Sequence, residues 1–144
     1  MMEHLVPMQA TKPRLLIVDD ELLIRDLLYD YFKNRDYEIA VAESGQGALD
    51  QVGNGHFDTV IIDLKMPDMD GLELADKIRA QDHDIPIIIM TGYPSLDSAI
   101  EALRRRADDY FIKPFNLKQM NRAVESAVTR AGCTVPISDP DATL

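Results

Sequence analysis

The chain has 144 residues, of which 46% are hydrophobic and 28% charged, a mixture typical of one globular domain. Its net charge of −10 at pH 7 opposes binding to phosphate backbones and to anionic lipid surfaces, so we expect no direct contact with nucleic acid and no membrane association. A single cysteine excludes an internal disulfide and no apolar run reaches the ~20 residues that span a bilayer, so a cytoplasmic location is expected.

Five short apolar runs alternate with five amphipathic segments. The runs lie at residues 14–19, 37–42, 58–63, 85–90 and 109–113, and they are rich in Ile and Val without polar alternation, as strands buried on both faces are. Each run is followed by a segment in which apolar residues recur every three or four positions, which predicts a helix. The alternation predicts an α/β fold with a single doubly wound (βα)5 domain, in which helices cover both faces of a five-stranded parallel sheet.

The helices have predicted starts and predicted core faces. We expect N-caps at Ser44, Ser95 and Asn116, and a third helix that begins at Gly71. The residues expected to face the core are Ile24, Leu27, Leu28 and Tyr31; Ala48, Leu49 and Val52; Leu74, Ala75 and Ile78; Leu96, Ala99, Ile100 and Leu103; and Leu117, Met120, Val124 and Ala127.

The two ends of the chain lack this periodicity. We predict an N-terminal extension over residues 1–12, a domain over 13–131, and a tail or linker over 132–144, where Pro136 and Pro140 disfavour a further helix.

Polar residues stand where the predicted strands end. Asp19 and Asp20 end the first strand, Asp63 ends the third, Thr91 the fourth and Lys113 the fifth. Because the carboxyl ends of parallel strands share one edge of the sheet, these five groups are expected to converge. Three carboxylates within ~4–5 Å of each other repel by roughly 3–4 kcal/mol per pair, so a cation is expected among them, and oxygen ligands favour Mg²⁺, with Mn²⁺ as a substitute.

A hydroxyl and an ammonium group facing that cation would complete a cage for a tetrahedral dianion. Thr91 and Lys113 provide these two groups, and a carboxylate would be the nucleophile that accepts a phosphoryl group. Asp63 is the best candidate because it lies on the middle of the three contributing strands and precedes the open loop "LKMPDMDG".

Five motifs occur in a fixed order over residues 13–130: "LLIVDDE", "IIDLKMPDMDGLEL", "IPIIIMTGY", "AIEAL" and "ADDYFIKPF". With this set the chain resembles the receiver domain of bacterial two-component response regulators, in the CheY-like superfamily. The resemblance implies the flavodoxin-like strand order 2-1-3-4-5. It also implies a switch that is phosphorylated by a sensor histidine kinase or a phosphotransfer protein and is not itself an enzyme.

The resemblance implies a role for each site residue. Asp63 would be the phosphoacceptor. Asp20, Asp63 and the backbone carbonyl of Lys65 would bind Mg²⁺ directly, and Asp19 would bind it through water. Lys113 would bind a phosphoryl oxygen.

The resemblance also implies the parts of a switch. Thr91 would supply the switch hydroxyl and Tyr110 the aromatic ring that turns inward. Gly92 would leave room for the phosphoryl group, and the peptide between Lys113 and Pro114 is expected to be cis. The readout would be the face of the fourth helix, fifth strand and fifth helix, through which a homodimer could form.

Lys65 and Tyr93, each two residues beyond a site residue, are candidate modulators of water access, although a solvated side chain is the simpler interpretation of Lys65. Simpler interpretations exist for the other residues too. The acids could be a solvated strand end, Thr91 a turn hydroxyl and Tyr110 a half-buried aromatic of an edge strand. The three histidines, His4, His56 and His83, are given no catalytic role.

The chain departs from the family pattern in "LRRRADDY", where Arg106 stands in place of the usual Gly before Ala107. Either the helix continues or a left-handed Arg is tolerated. Arg104, Arg105 and Arg106 are either a basic patch for an acidic partner or second protomer, or a solvated helix end that complements the helix dipole.

Other functions are less well supported by the motifs. An FMN-binding flavodoxin-like protein would need a hydroxyl- and Gly-rich loop where this chain has "DDEL", and an Asp-nucleophile phosphatase would need a second Asp at the position of Lys65. A receiver that binds partners without phosphorylation is disfavoured because all core site residues are present. The output is either an effector that follows this domain, with a transcriptional effector favoured, or a separate partner of a stand-alone receiver.

Overall fold

The computed structural model describes residues 12–132. Residues 1–11 of the predicted extension and 133–144 of the predicted tail lie outside the described residues, as do His4, Cys133, Pro136 and Pro140. None of the described helices combines the length and the hydropathy needed to cross a bilayer.

One parallel sheet organises the described residues. Its strands are β1 (Arg14–Val18), β2 (Glu38–Ala42), β3 (Thr59–Asp63), β4 (Ile87–Thr91) and β5 (Asp109–Ile112), in the order β2-β1-β3-β4-β5. They alternate with α1 (Leu22–Lys33), α2 (Gly45–Asn54), α3 (Gly71–Gln81), α4 (Leu96–Arg104) and α5 (Leu117–Arg130). The predicted fold class and strand order are therefore confirmed.

The sheet is buried between two helical layers. Ile87 of β4 packs in a core with residues of α2 and α3, whereas its neighbour Ile88 packs in a second core with residues of α1 and α5. This explains why the strand sequences lack polar alternation: both side-chain directions of a central strand point into apolar layers.

The predicted helix starts are confirmed. The side chains of Ser44, Ser95 and Asn116 each accept a hydrogen bond from the N–H three residues later. Helix α3 begins at Gly71, where a Cβ atom would lie 2.6 Å from the carbonyl oxygen of Asp63, so only glycine fits beside the end of β3. Its N-cap, Asp70, was not predicted; its carboxylate accepts a hydrogen bond of 2.7 Å from the N–H of Leu72.

The predicted core face of α4 is wrong. Leu96 and Leu103 are 76% and 74% exposed, and Ile100 is also exposed, whereas Ala102 is buried against the sheet. The helix has nine residues and contacts the core through a small side chain, which leaves its large apolar residues on the surface. In α1, Leu27 is likewise exposed, and Phe32 is buried beside Leu28 instead.

Arg106 ends α4 in the left-handed conformation, with φ of 61°. The N–H of Ala107 donates to the carbonyl of Ala102 and the N–H of Arg106 to that of Leu103, which is the hydrogen-bond pattern of a Schellman motif. The helix therefore stops where the family has glycine, and Arg106 tolerates the strain.

Replacing Arg106 with glycine is expected to raise the free energy of unfolding by about 0.5–1 kcal/mol, because the relief of left-handed strain exceeds the added freedom of the unfolded chain. Denaturant unfolding followed by circular dichroism measures this change. Arg104→Gly is the control, since Arg104 is the last helical residue and glycine there should destabilise by up to about 1 kcal/mol. Equal losses in both variants would contradict the strain at Arg106.

Two of the three arginines in the predicted basic patch contact acids of the same chain. Arg105 forms an ion pair of 2.9 Å with Asp76, and Arg104 lies 3.8 Å from Glu101. These contacts reduce the charge offered to a partner, and the acidic-partner hypothesis stays a prediction.

Candidate functional site

The three predicted acids meet at the carboxyl edge of the sheet. Asp19 follows β1 directly, Asp20 is the next residue, and Asp63 is the last residue of β3. One carboxylate oxygen from each lies within 4.8 Å of the others. Asp19 and Asp63 are buried, whereas Asp20 is exposed, so the cluster opens to solvent on one side.

Burial and the repulsion from neighbouring carboxylates disfavour the charged forms of the two buried acids. Burial and then the charge of Asp19 raise the pKa of Asp63 to about 7, although Lys113 and a hydrogen bond from the backbone N–H of Lys65 act in the opposite direction. Burial also raises the pKa of Asp19, against the effect of Lys113 and of the Glu21 N–H, which donates over 2.9 Å. A cation is the group that would relieve this repulsion.

Lys113 joins this cluster from the end of β5. Its Nζ lies 2.8 Å from Asp19 Oδ2, 2.8 Å from Glu21 Oε1 and 3.5 Å from Asp63 Oδ1. Burial alone would lower the pKa of Lys113, but the carboxylates outweigh burial and raise it, so the side chain stays a cation. The peptide between Lys113 and Pro114 is cis, as predicted.

Of the two residues predicted to form the switch, Thr91 is the last residue of β4 and Tyr110 lies in β5. Thr91 is buried, and its hydroxyl accepts a hydrogen bond of 3.0 Å from the N–H of Tyr93. The half-buried Tyr110 has its hydroxyl 2.7 Å from Ser98 Oγ of α4. The Thr91 hydroxyl is therefore a turn acceptor in this structure, and the tyrosine ring is tied to α4.

Gly92 and Tyr93 border the cluster. A Cβ atom on Gly92 would lie 3.9 Å from Cδ of Lys113, so the glycine faces the lysine at van der Waals distance. Tyr93 is 74% exposed. Lys65 is also exposed, and with Asp20, Leu64, Met66, Pro67 and Asp70 it lines an open cleft beside the acids.

Several contacts were not predicted from the sequence, among them those of Glu21 and Asp68. Glu21 pairs with Lys113, although its position in the acidic run "DDE" and the nearby cation could have indicated this. Asp68 accepts hydrogen bonds from the N–H groups of Gly45 and Gln46 at 3.0 and 3.1 Å, which lower its pKa and join the loop after β3 to the start of α2. His56 and His83 pair with neighbouring acids in loops and take no part in the cluster.

The donor set fits a hard divalent cation. It consists of carboxylate oxygens, two buried and one exposed to solvent, with no described His or Cys among them. A lysine beside such a cation forms an electropositive pocket for an anionic phosphoryl group, and the carboxylate of Asp63 is within its reach.

Comparison with known proteins supports this chemistry. The family model for the response regulator receiver domain matches residues 15–125. The regulatory protein AtoC of Escherichia coli is 40% identical over 115 residues, which are 80% of this chain and 25% of AtoC. The transcriptional regulatory protein PrrA of Mycobacterium tuberculosis is 31% identical over 135 residues, which are 94% of this chain and 58% of PrrA. The chain thus spans about a quarter of the first of these relatives and little more than half of the second.

Solved structures agree with the sequence matches. A CheY-like receiver domain from Methanospirillum hungatei superposes with a TM-score of 0.81 at 30% identity, covering 84% of this chain and 97% of that one. The response regulator TrrA of Thermotoga maritima, solved in complex with Mg²⁺ and BeF, gives a TM-score of 0.72 at 38% identity and covers 80% and 98%. Aspartate phosphorylation and Mg²⁺ are typical of such domains. By its fold, by the cluster at its sheet edge and by these matches, the chain belongs to the response regulator receiver domain family, the phosphorylation-dependent switches of two-component signalling.

Proposed function

We propose that Asp63 accepts a phosphoryl group from the phosphohistidine of a sensor kinase or of a phosphotransfer protein. The observation that carries this proposal is the convergence of Asp63 with two further carboxylates and with Lys113 at an edge open to solvent. A carboxylate oxygen of Asp63 would form a bond to phosphorus as the bond from phosphorus to the donor's imidazole nitrogen breaks, and the imidazole would keep the electron pair.

Mg²⁺ would be held by Asp20, Asp63 and the backbone carbonyl of Lys65, with Asp19 acting through water, and Mn²⁺ would substitute. When bound, this cation neutralises charge on the carboxylates and on the phosphoryl oxygens. Lys113 would exchange its contact with Asp63 for one with a phosphoryl oxygen, which its position 3.5 Å from the acceptor allows.

The switch would start from the hydrogen bonds that the structure shows. A phosphoryl oxygen near Thr91 would accept a hydrogen bond from the threonine hydroxyl, which in this structure accepts one from the N–H of Tyr93. Thr91 would then move toward Asp63, and the Tyr110 ring would leave Ser98 and turn inward. Lys65 and Tyr93, both exposed, would set the access of hydrolytic water, and Gly92 would leave space beside Lys113.

The output would be read on the surface of α4, β5 and α5. Leu96, Leu103 and Ile112 are exposed there, which suits a homodimer or an effector contact. The name of PrrA, a transcriptional regulatory protein, supports an effector-bearing transcriptional regulator as the whole protein, while a stand-alone receiver acting through partners is the alternative. A cytoplasmic location and the absence of enzymatic turnover belong to the same proposal, and so do an N-terminal extension over 1–12 and a tail or linker over 132–144.

Incubation with acetyl phosphate tests the proposal. With Mg²⁺ present, intact-mass spectrometry should show an adduct of about 80 Da on the wild-type chain, and chelation of the metal should abolish it. Asp63→Asn should show no adduct, whereas the control Asp50→Asn, which removes an exposed carboxylate of α2, should be phosphorylated normally. An equal adduct on Asp63→Asn would refute the assignment. Repeated turnover of a phosphomonoester would support the phosphatase instead, and bound flavin absorbance the flavodoxin-like alternative.

A further inference from the structure

Arg25 lies one turn into α1 and directs its guanidinium back to the end of β1. Its Nη1 donates a hydrogen bond of 2.8 Å to the backbone carbonyl of Asp19, and its Nη2 lies 3.8 Å from Glu43 Oε2. The side chain is 13% exposed, so the guanidinium is largely withdrawn from solvent and lies against the backbone at the end of β1.

The carbonyl that Arg25 holds belongs to the peptide unit between the two adjacent acids. That unit is planar, so a bond to its oxygen fixes the orientation from which both the Asp19 and the Asp20 side chains leave the backbone. On its other side, Asp19 donates its N–H to the carbonyl of Ala42 over 3.1 Å. The backbone at the end of β1 is thus held from β2 and from α1.

The position of the Asp20 carboxylate depends on this backbone more than the position of the Asp19 carboxylate does. The carboxylate of Asp19 is held by the N–H of Glu21 and by Lys113. The exposed side chain of Asp20 makes no hydrogen bond or ion pair with other residues between 12 and 132, so its position relative to Asp63 follows from the peptide plane and its own rotamer.

We propose that Arg25 is a positioning residue of the metal site, which orients the peptide between Asp19 and Asp20 so that their carboxylates face Asp63. This inference rests on the proposed function, because it assumes that the three acids bind Mg²⁺. Outer contacts that orient metal ligands typically change the affinity for the metal by about 10–100-fold.

Calorimetric titration with Mg²⁺ compares three variants with the wild-type domain. Arg25→Met keeps the length and the apolar stem but loses the donor, and the dissociation constant for Mg²⁺ should rise about 10-fold. Arg25→Lys can still donate one hydrogen bond to the Asp19 carbonyl and should recover most of the affinity.

Arg79→Met is the matched control. The side chain of Arg79 is about as buried as that of Arg25, with 15% of it exposed. It also donates hydrogen bonds to backbone carbonyls, those of Ile85 and Arg105, but it lies away from the three-carboxylate cluster. It should lose stability, as Arg25→Met does, and keep the affinity of wild type for Mg²⁺. Circular dichroism at the titration temperature verifies that each variant is folded.

Three results of the titration would refute either the proposed function or the role of Arg25. No Mg²⁺ binding by the wild-type domain would refute the proposed function itself. Wild-type affinity in Arg25→Met would overturn the role of Arg25 alone. An equal loss of affinity in Arg79→Met would also overturn it, because the effect would then come from general loosening of the fold.

Discussion

Replacing Asp63 with asparagine is expected to raise the free energy of unfolding of the metal-free domain by roughly 2–4 kcal/mol at pH 8. The pKa of Asp63 is raised from 3.8 to about 7, first by burial and then by the charge of Asp19. The folded state therefore retains a proton that the unfolded chain releases. The stability that this proton provides is complete below about pH 4 and is lost as the pH rises through about 7.

Asparagine has no proton to lose over this range. It can still accept the hydrogen bond from the N–H of Lys65, and Lys113 keeps its ion pairs with Asp19 and Glu21. Denaturant unfolding in a chelating buffer should therefore show a gain that is large at pH 8 and small at pH 5. Mg²⁺ should reduce the gain by stabilising only the wild type.

The exposed Asp50 provides the control for this measurement. Asp50→Asn removes one charge from the surface of α2 and should change the stability by less than about 0.5 kcal/mol at either pH. If Asp63→Asn were less stable than wild type at pH 8 without metal, burial and the charge of Asp19 would not destabilise the ionised form of Asp63.

The second large effect is on metal affinity. Asp20→Asn should weaken Mg²⁺ binding by roughly 100-fold, because it removes a charged oxygen ligand from an exposed position. The metal-free variant should be at least as stable as wild type, since the charge of Asp20 also raises the pKa of Asp63. Calorimetric titration measures the affinity.

Asp26→Asn tests whether net charge alone explains such a loss. Asp26 is an exposed residue of α1, six positions after Asp20, and it lies outside the three-carboxylate cluster. Its replacement should change the affinity for Mg²⁺ less than about twofold. Similar losses in both variants would mean that the domain attracts Mg²⁺ by its overall charge and has no defined site.

The sequence predicted most of the fold because its strands are unambiguous. Runs such as "TVIID" are apolar on both faces, which only a central strand of a covered parallel sheet can bury, and the order of strand ends then places Asp19, Asp63 and Lys113 at one edge. The caps Ser44, Ser95 and Asn116 were predictable because an N-cap is a local interaction.

The errors arose where tertiary packing overrides local pattern. The three-and-four spacing of Leu96, Ile100 and Leu103 predicts an apolar helix face correctly, but periodicity cannot say whether that face meets the core or the surface. Contacts between distant segments, such as Arg25 with Asp19 or Asp68 with α2, have no signature in either segment alone.

The hydrogen bonds of the switch residues also could not be predicted from the sequence. The resemblance to receiver domains indicated Thr91 and Tyr110 as the switch residues, but their partners Tyr93 and Ser98 depend on how the loop before α4 folds back. The proposed switch would break the hydrogen bond between Tyr110 and Ser98.

The most direct test of Asp63 as the phosphoacceptor is to locate the phosphoryl group within the chain. After reaction with acetyl phosphate and Mg²⁺, borohydride reduction converts a phosphorylated aspartate to homoserine, and peptide sequencing by mass spectrometry identifies the position. We predict homoserine at position 63 alone, and none when Mg²⁺ is chelated. Homoserine at position 19 or 20, or the same yield without metal, would contradict the assignment of Asp63 as the acceptor.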